Sequence, residues 1–377
     1  MKLLHIADLH LGKRLHGFSL LEDQQHALNQ ITALVKEHKA NAVLIAGDVF
    51  DKATPSESAL MLLDEFLTAL IEAGAAVFLI AGNHDSALRL EFGSRLLMKN
   101  GLYISGAYNG TLNKVRLKDE HGPVDFYLLP YVRPAQVQQF FIEQPIKTHE
   151  DAVRAALSSI SLTPSIRSVL LAHQYVSGEG SLGCRSASES AIAGGLDRVC
   201  TSAFPEFDYI ALGHLHKAQA ASDSIYYSGT PLKYDFSETL DKKGALLIEL
   251  LEKGSAGIKF LELTPLRDML RIQGKFSELI KPGLSGREDY YKIILEDEYD
   301  VLDAMNRIRE FYPNAMQLSY EREVMPEQNE VGLSLKGKAP LELFEEFYSY
   351  QNERPLDEES RQFIKPLLFE LESGVEE

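Results

Sequence analysis

Cysteine is nearly absent from this chain, with two residues, Cys184 and Cys200, in 377. Their spacing fits neither a disulfide framework nor a zinc ligand set, so the expected compartment is a reducing one, the cytoplasm. Long apolar runs are missing too. Even the greasiest windows, such as AVLIAGDVF (42–50), meet a charge far short of the roughly 18 apolar residues that a membrane span needs. The first residues, MKLLHIADLH, place His and Asp where a signal peptide requires an apolar core. The chain is therefore expected to have no membrane association. Positive charge is also in deficit, with 38 Lys and Arg against 55 Asp and Glu and a formal net charge of −17. That excludes an autonomous basic nucleic-acid binder but leaves room for a local cationic groove. No internal repeat or low-complexity tract interrupts the chain.

What remains is 45% hydrophobic and 25% charged, enough for one large domain with one or two small ones. Up to about residue 265, short apolar runs (3–7, 42–47, 76–82, 126–130, 168–173, 209–214, 225–229, 245–250 and 258–263) alternate with stretches of helical period. This is the pattern of an α/β layer fold. Strands so continuously apolar are buried on both faces. The last few follow one another without helices and predict a second sheet stacked on the first, giving a four-layer α-β-β-α sandwich. From 266 to 325 the pattern is strand, helix, strand, helix, strand, a small α/β unit with the loop KPGLSG (281–286). Residues 326–338 read as a linker. Residues 339–377 read as a helical pair whose apolar residues, among them Phe344, Phe347, Phe363 and Leu367, call for a partner surface. Residues 321–377 carry 15 acidic and 6 basic side chains, more than half of the net charge.

The chemistry-bearing residues cluster just after the apolar strands, where open α/β sheets hold their ligands. Five blocks stand out: Asp8-Leu9-His10, Gly47-Asp48, Gly82-Asn83-His84-Asp85, His173-Gln174 and Gly213-His214-Leu215-His216. A D-x-H pair at the strand period of two puts both side chains on one face. Gly47 and Gly82 allow a sharp turn and a close backbone approach. The H-x-H pair repeats the period of two, although a turn there would send its imidazoles to different ions. This mixture of oxygen and imidazole donors without sulfur suits a pair of Mn, Fe or Zn ions and disfavours calcium. A central Asp48 could give one oxygen to each of two ions, an arrangement built for hydrolysis of phosphoryl esters. The other six histidines (His5, His16, His26, His38, His121 and His149) have no acidic partner at metal spacing and read as structural. The loop GEGSLG (178–183) lacks the lysine and helix start of a nucleotide site.

In order and in placement, the five blocks resemble the calcineurin-like metallophosphoesterase superfamily. The segments ADLHLGK (7–13), AGDVFDKATPS (46–56), AGNHDSALR (81–89) and FDYIALGHLHKAQ (207–219) resemble, within it, the SbcD family of bacterial nuclease subunits. The resemblance runs the full length and divides the chain into a nuclease domain (1–265), a capping domain (266–325), a linker (326–338) and a helical pair (339–377). It implies one Mn²⁺ held by Asp8, His10, Asp48 and His216, and a second held by Asp48, Asn83, His173 and His214. It further implies that His84 lies over the scissile phosphate as hydrogen-bond or proton donor, oriented by Asp85. The implied activity is that of a DNA exonuclease on double-stranded ends and an endonuclease on hairpins or single strands. The implied partners are DNA, a second copy of the chain through helices around residues 54–100, and an SMC-like ATPase of SbcC type bound by the C-terminal helices.

Two other readings are open. A phosphatase of monoesters would place an Arg soon after the Gly-Asp turn to clamp the dianion, where this chain has Phe50-Asp51-Lys52. A silent scaffold for the ATPase would be expected to have lost at least one ligand, and none is missing. Arg14, Lys52 and Arg89 are the candidates for phosphate contact, with exposed ion pairs as their alternative role.

Overall fold

The computed structural model describes residues 1–178, 197–281, 288–321, 341, 344–345, 347–349 and 355–373. They form two compact units, Met1–Tyr320 and Glu321–Glu377.

In the first unit the chain lays down β1 (Lys2–Ile6), β2 (Ala42–Ala46), β3 (Ala76–Ile80) and β4 (Leu102–Ser105) as successive parallel neighbours. Helices α1 (Leu21–His38) and α2 (Glu57–Glu72) link the first three strands. A second sheet follows, built from β5 (Asn113–Asp119), β6 (Gly122–Leu129), β7 (Arg167–His173), β8 (Tyr209–Gly213), β9 (Gln219–Ser222) and β10 (Ile225–Tyr227). Its spatial order is β9-β10-β8-β7-β6-β5. Its centre is parallel and its two edge pairs, β5 with β6 and β9 with β10, are antiparallel. Helix α3 (His149–Ser158) lies between β6 and β7 in the chain. The chain then returns to the first sheet, where β11 (Gly244–Leu250) pairs antiparallel with β1 and β12 (Ala256–Glu262) pairs antiparallel with β11.

Three apolar layers follow from the strand period of two. Leu3, Leu44 and Phe78 of the first sheet meet Phe126, Leu171 and Ala211 of the second, with Phe78 and Phe126 stacked at 4.3 Å between ring centroids. The alternate residues Leu4, Val43 and Leu79 face outward onto Leu28 and Ile31 of α1 and Leu63 and Phe66 of α2. On the far side Tyr127, Leu170 and Ile210 meet Ala152 and Ala156 of α3. The result is the four-layer α-β-β-α sandwich read from the sequence. Burying each of these large side chains contributes about 1.5–3 kcal/mol.

Two details differ from the sequence reading. β11 and β12 extend the first sheet rather than the second, because β1 offers them a free edge. The strands β4, β5 and β9 are additional elements, and β5 is an edge strand with only alternate residues half-buried.

A third sheet, β13 (Met269–Gly274), β14 (Tyr290–Leu295) and β15 (Ala315–Tyr320), is parallel throughout. Two short helices, Phe276–Leu279 and Ala304–Arg309, accompany it, and Phe276, Tyr291, Ile293 and Ile308 form a core of their own. Most of the loop 281–286 and all of the linker 326–338 lie outside the described residues. In the second unit, helix Glu358–Ser373 is present, and an Arg361–Glu345 ion pair of 2.6 Å ties it to the preceding helical residues.

Candidate metal centre

The carboxyl ends of β1, β2 and β3 in one sheet abut those of β7 and β8 in the other, and the five sequence blocks meet at this seam. Backbone bonds hold it together: Asp8 N–H donates to the Gly47 carbonyl (3.0 Å), His10 N–H to the Asp48 carbonyl (2.9 Å) and Tyr131 N–H to the Ala81 carbonyl (2.9 Å). Strand alternation does not continue past Ile6, so the D-x-H pair is not presented by a strand. Asp8, His10, Asp48 and His214 all have positive φ, at 53°, 44°, 47° and 102°. Such strain in non-glycine residues is characteristic of a site that surrounding structure holds in place. Gly47 and Gly82 serve the close approach expected of them. A Cβ on Gly47 would collide with the His173 ring, and one on Gly82 with the Asp48 carboxylate.

On one side of Asp48, His10 Nε2 and His216 Nε2 stand 3.3 Å apart, and His10 Nε2 lies 3.9 Å from Asp48 Oδ2. On the other side, His173 Nε2 is 3.0 Å from Asn83 Oδ1 and 3.5 Å from Asp48 Oδ2. His214 Nδ1 reaches the same Asn83 Oδ1 at 3.1 Å. The two imidazoles of the H-x-H block thus turn to opposite sides. Two groups of residues able to hold a cation, His10-Asp48-His84 and Asp8-Asp48-His173, have Asp48 in common. The Asp8 carboxylate also accepts His214 N–H at 3.0 and 3.1 Å.

The donor set fits a cation. His173 Nδ1 is 2.8 Å from the Ala46 carbonyl, which can only accept, so Nδ1 carries the proton. Nε2 then faces two further acceptors, Asn83 Oδ1 and Asp48 Oδ2. Three acceptors around one buried imidazole require positive charge at Nε2, as a proton or a metal ion. Electrostatics agree. Burial alone would lower His173, yet the Asp48 carboxylate lifts it to about 9. Burial would raise Asp48, yet His173, His10 and His84 hold it well below the usual carboxylate range. Asp8 is pushed up to about 7 by burial, with His173 opposing and Asp48 reinforcing the shift.

His84 borders this group and is its more open member, with a side chain 33% exposed. Its Nδ1 donates to the Asp51 carbonyl at 3.0 Å, and its Nε2 lies 3.9 Å from Asp48 Oδ2. Asp85 does not orient it, contrary to the sequence reading. The Asp85 carboxylate accepts the backbone N–H groups of Val49 (3.1 Å), Phe50 (2.9 Å) and Gly82 (2.9 Å). It pins the loops after β2 and β3 to each other, and the orienting acceptor is Asp51. Burial, reinforced by the Asp48 charge, raises Asp85 to about 6.

The candidate phosphate contacts are less engaged. Arg14 donates to the Gly17 carbonyl at 2.6 Å and Arg89 to the Ala53 carbonyl at 3.4 Å, and Lys52 is exposed. The cation fixed at the rim is Lys13, paired with Asp51 at 2.8 Å and lying 5.4 Å over the Tyr234 ring. Of the histidines read as structural, His5 is buried between Tyr209 Oη (2.8 Å) and the Leu212 carbonyl (3.1 Å). Sequence reasoning missed Gln24, Tyr234 and Glu238. Gln24 donates to the His10 carbonyl at 2.7 Å, and Glu238 accepts from His216 Nδ1 at 3.1 Å. None of the three follows an apolar strand, so the signal that found the ligands passes over them.

Comparison with known proteins gives two family matches. Residues 1–218 match the calcineurin-like phosphoesterases. Residues 265–352 match the SbcD C-terminal family, described as the type 5 capsule protein repressor C-terminal domain. Among solved structures 71 chains are similar to this one, three of them as follows. A dimetal phosphatase from Danio rerio is 12% identical over 70% of this chain and 96% of its own, with a TM-score of 0.38. The protein TT1561 of Thermus thermophilus is 13% identical over 69% and 98%, with a TM-score of 0.40. Yfce, a phosphoesterase from E. coli, is 12% identical over 66% and 88%, with a TM-score of 0.28. The family match spans the whole seam from Asp8 to His216, and the chain belongs to the calcineurin-like metallophosphoesterases, metal-dependent phosphoester hydrolases, with a C-terminal domain of SbcD type.

Proposed function

We propose that this chain is the manganese-dependent nuclease subunit of an SbcCD-type complex. It acts as an exonuclease on double-stranded ends with its ATPase partner and as an endonuclease on hairpins and single strands during double-strand-break processing. The observation that carries the reading is the shared Asp48, flanked by His10 and His216 on one side and by Asn83 and His173 on the other. Asp8, His10, Asp48 and His216 would hold one ion, and Asp48, Asn83, His173 and His214 the second. Bound there, two Mn²⁺ ions would supply Lewis acidity toward the phosphoryl oxygens and an activated water.

The chain's own residues do the rest. Asp85 fixes the loops that carry Asp48 and Asn83. His84, its Nδ1–H anchored on Asp51, presents Nε2 to the substrate side in this reading; as the imidazolium, with a second proton on Nε2, it would hydrogen-bond a phosphoryl oxygen or give that proton to the leaving oxygen and return to the neutral ring. Hydrolysis joins water oxygen to phosphorus and breaks one ester P–O bond. The exposed Lys52 standing after the Gly-Asp turn offers no bidentate clamp for a monoester dianion, which favours a diester.

Residues 266–325 serve in this reading as a cap, and the helices within 339–377 as the grip on an SbcC-type ATPase. The C-terminal family match supports both, and Phe347 and Phe363 expose apolar rings suited to the second role. A homodimer through residues 54–100 is supported by an apolar groove of 840 Å³ lined by Leu60, Leu67, Leu88, Phe92 and Leu97. Phe92 is 87% exposed beside it. The complex would work in the cytoplasm. No helix among the described residues is long and apolar enough to cross a membrane.

The test compares hydrolysis of end-blocked hairpin DNA, bis-p-nitrophenyl phosphate and p-nitrophenyl phosphate, with and without Mn²⁺, by wild type and His84→Ala. Diester cleavage should require Mn²⁺ and fall at least 100-fold in His84→Ala with metal binding retained. Turnover of the monoester alone would assign the chain to the phosphatases. No cleavage even with the ATPase partner present would make it a scaffold.

A further inference from the structure

Glu238 is a fully buried carboxylate that the proposed ligand sets do not use. Its Oε1 accepts from His216 Nδ1 at 3.1 Å. Its Oε2 accepts from Lys243 Nζ at 2.7 Å and from Tyr234 N–H at 3.1 Å. Lys243, itself buried, also donates to the His216 carbonyl at 2.8 Å. The same segment carries Tyr234, whose ring stands edge-on to His10 at 5.5 Å and packs beside His216 at 6.2 Å between centroids. Its hydroxyl donates to the Leu9 carbonyl at 2.5 Å. Residues 234–243 thus form a wall behind His10 and His216.

Burying a carboxylate and an ammonium together costs desolvation that their attraction only partly returns, so the pair is best understood through what it does for its neighbour. An imidazole that donates Nδ1–H to a carboxylate is held in one tautomer, with Nε2 unprotonated and made a stronger electron donor. His216 Nε2 is the atom that faces His10 Nε2. The opposite half of the centre is built differently, since His173 Nδ1 has the neutral Ala46 carbonyl as its acceptor.

We propose that Glu238 is the positioning residue of the metal position formed around His10 and His216, fixing the His216 tautomer and making that position the tighter of the two. The inference rests on the ligand assignment given under the proposed function. Lys243 keeps Glu238 ionised and seated, so it acts one contact further out.

The test is Mn²⁺ titration of the full-length chain, followed by the electron paramagnetic resonance signal of free Mn²⁺ and by calorimetry. It uses wild type, Glu238→Gln and Lys243→Met, with His216→Ala and His173→Ala as references. In wild type the tighter position should be the one lost in His216→Ala. Glu238→Gln should weaken that position 10–100-fold, the usual effect of removing such a partner, and leave the position lost in His173→Ala at wild-type affinity. In the metal-free protein, the ¹⁵N shifts of His216 should report the Nδ1–H tautomer in wild type and a mixture in Glu238→Gln.

Unchanged affinity with an unchanged tautomer, or a loss shared equally by both positions, would overturn the proposal. Should Glu238→Gln not fold, Lys243→Met decides, since a weaker loss at the same position supports the role and wild-type binding overturns it. If both His→Ala references bind two Mn²⁺ as wild type does, the ligand assignment itself fails.

Discussion

At Gly82 a hydrogen stands where any other residue would put a carbon onto the Asp48 carboxylate and its backbone nitrogen. Gly82→Ala must therefore move Asp48, the residue common to both halves of the centre. A loss of at least 100-fold in metal-dependent phosphoester hydrolysis is expected, with weakened Mn²⁺ binding in calorimetry. His5 makes a different kind of expectation. Burial lowers its pKa from 6.5 to about 3, so the native state holds it neutral while the unfolded chain protonates it. The stability it contributes is complete above about pH 6.5 and is lost as pH falls toward 3, at up to about 1.4 kcal/mol per pH unit. Denaturant melts should accordingly show wild type losing its advantage over His5→Phe through that window, and a pH-independent difference would refute the role. The polar residues that meet at the seam were legible in the sequence because each is a chemically distinctive side chain just after an apolar strand. Glu238 and Asp51 were not legible in their roles. Glu238 acts on a residue 22 positions away through a loop without period, and Asp51 acts through its carbonyl, which no side-chain pattern records.

Helix α1 shows how one element serves two neighbours. In its first turn the buried Asp23 accepts from Tyr290 Oη (2.8 Å) and Arg267 (3.0 Å), next to the third sheet. The adjacent Gln24 accepts Gly12 N–H at 3.0 Å and donates to the His10 carbonyl. Tyr290→Phe removes a hydrogen bond to a buried charge and should cost about 1.5–3 kcal/mol in chemical denaturation. A neutral result would mean that the third sheet is held by its apolar contacts alone. Elements with strong apolar runs were legible, including all five of the βαβαβ unit. β4 and β5 were not, because edge strands bury less and so show a weaker apolar pattern. The return of β11 and β12 to the first sheet was not legible either, since strand order depends on which edge is free and not on the strand's own residues.

For the molecule as a whole, charge and apolar surface are unevenly distributed. More than half of the net negative charge falls in residues 321–377, and Met1–Tyr320 is compact by itself. A chain ending at Tyr320 should keep Mn²⁺-dependent diester hydrolysis within about threefold of wild type and lose co-elution with an SbcC-type ATPase. Retained co-elution would move the partner surface elsewhere. The exposed Phe92 and Leu88 give a second expectation, which rests on the proposed homodimer: wild type should sediment as a dimer and Phe92→Asp as a monomer.

The seam has one more consequence. The candidate ligands come from residues 8–83 on one sheet and 173–216 on the other, so an ion bound between them is also a rivet across the sandwich. Its binding free energy adds to the energy needed to part the sheets. Chelation should therefore soften the fold as well as silence the chemistry, lowering the melting temperature and speeding amide exchange in β2 and β7 together. Scarcity of metal would shorten the lifetime of the protein as well as its working hours.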